Sequence, residues 1–87
     1  MATKIQVEVS KNTYDVEYSH SLNEHGKDSF KIDIISEDLK KVLPLDFIAA
    51  GKDEKGWMFV PSNPAINDIV MKIVTQVSNH YNQSQNP

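Results

Sequence analysis

The stretch Ile5-Gln6-Val7-Glu8-Val9-Ser10-Lys11-Asn12-Thr13-Tyr14-Asp15-Val16-Glu17-Tyr18 holds two runs of strict alternation around a polar break. Ile5, Val7 and Val9 alternate with Gln6, Glu8 and Ser10. Tyr14, Val16 and Tyr18 alternate with Asp15, Glu17 and Ser19. Successive side chains of a pleated strand point to opposite faces, so a period of two marks a strand with one buried and one wetted side. A two-residue turn at Lys11-Asn12, where Asn tolerates positive φ, would join the runs as a hairpin. The pattern therefore decides for an antiparallel sheet that is apolar on one face and polar on the other.

Working outward, a polar loop of about His20 to Ser29, containing Gly26, leads to a third alternation. There Phe30, Ile32 and Ile34 interleave with Lys31 and Asp33, which extends the hairpin into a meander. Ser36 suits a helix N-cap, Glu37 and Asp38 suit the positive end of the helix dipole, and Pro44 suits a stop. This predicts a short helix near 36–43 with Leu39, Val42 and Leu43 on its apolar side. Leu45, Phe47 and Ala49 then alternate with Asp46, Ile48 and Ala50, followed by the charged loop 51–56 and the apolar run Trp57 to Val60. These residues read as a second hairpin. The alternative continues the helix through a kink at Pro44 to about Ala50, since Ala and Leu are good helix formers.

Asn63 and Pro64 form a helix start, as cap and first helical residue. Ile66, Ile69, Val70, Ile73, Val74, Val77 and Tyr81 recur at spacings of three and four, which predicts a long helix near 64–81. Its β-branched residues are poor helix formers, so it needs burial against the apolar side of the sheet to persist. The expected fold is α+β: a meander of three to five strands, a short helix, and a long C-terminal helix on one sheet face. Residues 1–82 make one domain, and the uncharged, polar end 83–87 reads as a disordered tail.

The 87 residues leave room for one small core, so most apolar side chains are committed to packing. Ligand cavities of about 300 Å³ or more are not expected. The absence of cysteine removes disulfides, thiolate zinc sites and thiol nucleophiles, and favours a reducing compartment. The opening residues enter alternation at once, and no apolar run approaches a membrane span, so no signal peptide, no membrane and a cytoplasmic location are expected. All nine basic residues are lysine, set against 12 acidic ones. A net charge of −3 without arginine counts against direct binding of nucleic acid, whose affinity rests on phosphate neutralisation.

A turn at Lys11-Asn12 sets Glu8 opposite Asp15 and Gln6 opposite Glu17. Pairing Tyr18 with Phe30 then sets Asp33 opposite Asp15 and Lys31 opposite Glu17. The open face would carry a row of Glu8, Asp15 and Asp33, flanked by the compensated Glu17. Like charges directly opposite destabilise a sheet, so such a row suits a docking surface for a basic partner. Trp57 belongs to the core if it shares a face with Phe59, and anchors an interface if Met58 and Val60 point inward.

His20, Glu24 and His25 lack a recognised zinc spacing and read as a solvated loop, so no metal or cofactor is expected. His80 sits where it favours the negative end of the long helix. Neither a triad spacing nor a glycine-rich phosphate loop is present, and no enzyme is expected. These features point to a small protein-binding module: an inhibitor, adaptor or regulatory subunit, of the compact acidic kind common among phage and mobile-element products. The alternatives are a nucleic-acid-binding sheet with Tyr14, Tyr18 or Trp57 stacking on bases, and a self-assembling subunit, with a homodimer as its simplest form.

Overall fold

The alternating runs build one five-stranded antiparallel sheet in which every strand lies beside its neighbour in sequence. The computed structural model describes residues 2–24, 26–60 and 63–85, with the backbone alone at 59, 60 and 85. The strands are β1 (Thr3–Val9), β2 (Asn12–Leu22), β3 (Asp28–Ile34), β4 (Phe47–Asp53) and β5 (Gly56–Val60). The helices are α1 (Glu37–Val42) between β3 and β4, and α2 (Asn67–Gln85) after β5. The fold is α+β, with the sheet packed against the long helix.

Both expected registers are corrected by two residues. The first turn is Ser10-Lys11, with φ of 51° and 70°, so Asn12 begins β2 instead of occupying the turn. Glu8 consequently faces Thr13, Asp15 faces Gln6 and Glu17 faces Lys4. In this pairing no carboxylate of the hairpin stands opposite another, which is the advantage over the expected register. The price is two non-glycine residues in left-handed backbone, each costing about 1–2 kcal/mol.

Between β2 and β3, Tyr18 pairs with Ile32 and Glu17 with Asp33. The cause is a longer β2 than expected: it runs through His20 to Leu22 and leaves only a short loop. Asn23 organises that loop. Its N–H donates to Lys27 O at 2.9 Å, its Oδ1 accepts from Lys27 N–H at 3.1 Å, and its Nδ2 donates to Lys52 O of β4 at 2.9 Å. Gly26, at φ 71°, completes the turn in a conformation that suits a residue without Cβ.

Ser36 caps α1 as expected, accepting from Leu39 N–H at 3.3 Å. Leu39 and Leu43 are fully buried, whereas Val42, expected beside them, is 45% exposed because a six-residue helix has only one narrow buried side. Residues 47–53 are strand, not a continuation of α1. Ile48 and Ala50 turn inward, because Ile48 pairs with buried Ile32 and Ala50 with buried Phe30. Phe47 and Ala49 therefore point outward. The second hairpin turns at Glu54-Lys55 alone, so β4 continues through three residues of the expected charged loop.

Asn63 Oδ1 accepts from Ala65 N–H at 3.0 Å, and a tight turn over 64–66 feeds α2. The helix starts three residues later than expected and runs to Gln85, into the segment read as tail; residues 86–87 lie outside the described residues. Its stripe is the second wall of the core. Val70, Ile73, Val74 and Val77 are fully buried, with Ile66, Ile69 and Tyr81 packed at their margins. They close over the inward row of the sheet, Val7, Val9, Val16, Ile32 and Ile34 among it.

Candidate functional site

Since α2 covers one face of the sheet, the other face is the broad surface that this fold presents. Its composition follows from strand parity. β1 contributes Lys4, Gln6 and Glu8; β2 contributes Thr13, Asp15, Glu17 and Ser19; β3 contributes Ser29, Lys31 and Asp33. Glu8, Asp15, Glu17 and Asp33 thus share this half of the face with Lys4 and Lys31, a surplus of two negative charges. The expected row of Glu8, Asp15 and Asp33 does not form. Lys4 Nζ lies 3.9 Å from Asp15 Oδ2 and Lys31 Nζ lies 3.9 Å from Asp33 Oδ1, while Glu17 stands between Lys4 and Asp33. Glu17 opposite Asp33 is the one like-charge opposition among these described pairs.

The half built by β4 and β5 differs in kind. Phe47, Ala49, Gly51 and Met58 lie there, and the next residue of that parity, Asp53, is engaged at the turn, where it accepts from Lys55 N–H at 2.8 Å. Phe47 is 45% and Met58 64% exposed. Lys31 Nζ sits 5.4 Å from the Phe47 ring centroid, so the acidic and apolar halves meet at a cation–π contact.

Trp57 does not belong to this face. It pairs with Lys52 on the helix side of the sheet, packs at the edge of the core 5.8 Å from the Phe30 ring, and lies under Lys52 Nζ at 5.6 Å. Met58 points outward, which removes the premise on which Trp57 was expected as an interface anchor.

Around Phe30 an aromatic cluster gathers that no local pattern announces. Tyr18, His20, Trp57 and Tyr81 all have ring centroids between 5.2 and 5.8 Å from it. His20 stacks on Tyr81 at 4.0 Å and its Nε2–H donates to Asp28 Oδ1 at 2.8 Å. His20 is thereby a strand residue held by ring stacking and one carboxylate, not a residue of a solvated loop. Its expected loop neighbour His25 lies outside the described residues. The Tyr18 hydroxyl and His80 Nδ1 are hydrogen-bonded at 2.8 Å, so His80 serves packing of α2 on β2. Burial raises the Tyr18 phenol above its ordinary range and the charge of Tyr81 adds to this, against a lowering hydrogen bond with Thr3. Among the described residues, no group of three or more His, Asp or Glu side chains is placed to hold a metal ion, and no helix is long and apolar enough to cross a membrane.

A search of protein-family models, of curated proteins and of solved structures gives no match to this chain.

Proposed function

We propose that this chain is a non-catalytic protein-binding module, an inhibitor, adaptor or regulatory subunit, that docks a basic protein through its open sheet face. The observation that carries this reading is the pairing of four carboxylates against two lysines on β1–β3 with the exposed Phe47 beside them. A partner surface with lysine or arginine next to an apolar side chain matches both features. Opposite potentials speed encounter, and the aromatic ring supplies the desolvated contact that charges at a wet rim do not. The carboxylates concerned are Glu8, Asp15, Glu17 and Asp33, no longer as a row but as a patch.

Binding of nucleic acid through this face has less support. Tyr14, Tyr18 and Trp57 lie on the helix side, which leaves Phe47 as the one aromatic ring described on the open face, among carboxylates that repel phosphate.

Photo-crosslinking tests the reading. A photoreactive residue placed at Glu17 or Phe47 should yield adducts with a basic protein from the source cell, and the yield should fall as salt rises. The same residue at Glu54, in the turn of the second hairpin, should yield none of that adduct. Equal yields from all three positions, or adducts with acidic proteins only, would remove the open face as the docking surface.

A further inference from the structure

The two edges of the sheet are finished differently. In a hairpin with a two-residue loop, the flanking residues form a hydrogen-bonded pair and the next residue turns its N–H and C=O outward. In the first hairpin that residue is Glu8, and a side chain of α2 occupies it. Gln76 Oε1 accepts from Glu8 N–H at 2.7 Å and Gln76 Nε2 donates to Glu8 O at 2.8 Å. One primary amide thus imitates the next strand and closes the β1 edge at that point. In the second hairpin, Asp53 and Gly56 flank the loop, so Trp57 and Phe59 turn their backbone groups away from β4.

We infer that the β5 edge is a self-association surface, on which a second copy of this chain adds its own β5 antiparallel around a two-fold axis at Met58. The register follows from the pattern of outward groups. Pairing Trp57 with Phe59 of the second copy brings outward N–H and C=O groups together on both strands, and the reciprocal pair does the same. Together they supply about four backbone hydrogen bonds. Met58 then faces its own counterpart in a non-hydrogen-bonded position, where side chains approach most closely. Its side chain is 64% exposed in the single chain, so burial there is available to the dimer. Charge favours the same occupant. Phe47, Ala49 and Met58 carry no ionisable group, and Asp53, the charged residue of this parity, is held at the turn by Lys55 N–H. Two copies therefore meet at the Met58 axis without like charges, whereas on the acidic half a second copy would meet its own carboxylates. The result is a continuous ten-stranded sheet with both α2 helices on one side and the acidic patches at its two ends.

The experiment is a charge swap at the axis, read by sedimentation over concentrations up to about 1 mM. The wild-type chain should show a monomer–dimer equilibrium in that range. Met58→Lys and Met58→Glu, each alone, set like charges against each other and should weaken association by about ten-fold or more. An equimolar mixture of the two variants should regain dimers. Circular dichroism of each variant should match the wild type, since the residue is exposed. A chain monomeric throughout the range, a dimer indifferent to both variants, or variants that fail to pair when mixed would each overturn the inference. Because the basic-partner reading rests on crosslinks from Glu17 and Phe47, its failure would leave this result untouched.

Discussion

The two outer strands of the sheet receive opposite treatment from the rest of the chain. β1 buries Val7 and Val9 under α2, pairs with an 11-residue strand, and has its outward backbone groups at Glu8 taken by Gln76. β5 has five residues, a half-buried Trp57 and an outward Met58. The comparison separates two demands on an edge. The first edge is spent on the core, where a helix can brace it. The second contributes less to the core and keeps groups that another strand can satisfy. An unpaired edge is a template for pairing, and proteins ordinarily blunt it; among the described residues, the side-chain clamp that does so lies on β1.

The largest effect that would break this contrast belongs to the braced side. Ile73→Ala removes a fully buried side chain from the middle of the α2 stripe and should cost about 2–4 kcal/mol in denaturant melts. A loss below about 1 kcal/mol would mean that the helix is not the wall of the core. Next in size is Gln76→Ala, which deletes both hydrogen bonds to Glu8 and should cost about 1–2 kcal/mol. Amide exchange at Glu8 should accelerate with it; an unchanged rate would show that the side chain does not close the edge. Replacing Ser10-Lys11 by Asn-Gly should act in the other direction, raising stability by about 1 kcal/mol, because those residues accept the two positive φ values with less strain.

Tyr18 sharpens the comparison through pH. Its phenol is raised above 10.0 in the fold, so the folded state favours the protonated form. Its contribution is therefore whole below the unfolded value of 10.0 and is lost as pH rises through the folded value. Wild type should lose stability relative to Tyr18→Phe as pH rises from about 10.0 upward, and parallel curves would show that the hydroxyl is not held by burial. The smallest effect belongs to the unbraced side. Phe47→Ser should change stability by no more than about 0.5 kcal/mol while weakening capture of the basic partner. A large loss of stability there would make Phe47 part of a core, not of a surface.

The sequence was most legible where periodicity alone decides. The alternations at 5–9, 14–18 and 30–34 and the stripe from Ile66 to Tyr81 assign both the elements and their buried sides, because each face is apolar or polar along its whole length. The register was not legible, for a reason internal to the pleat. A slip of two residues leaves every side chain on its own face, so hydrophobic pattern cannot choose between Glu8 facing Asp15 and Glu8 facing Thr13. The faces of β4 were ambiguous because Phe47 and Ala49 are as apolar as Ile48 and Ala50; only the cross-strand partners Ile32 and Phe30 decide. The Gln76 clamp joins residues 68 positions apart, and the cluster around Phe30 draws its rings from β2, β3, β5 and α2. A glutamine on the polar side of a helix carries no mark of such a task.

One consequence follows from the last helix lying on the first strand. Each strand pairing is a local event in the chain, but β1 has no cover until α2 arrives from the opposite end. During synthesis, at about 5–20 residues per second, the meander emerges with its apolar face bare and stays so for seconds until the residues of α2 follow it. The nascent sheet, before α2 has docked on it, is the form of this protein that a chaperone would meet.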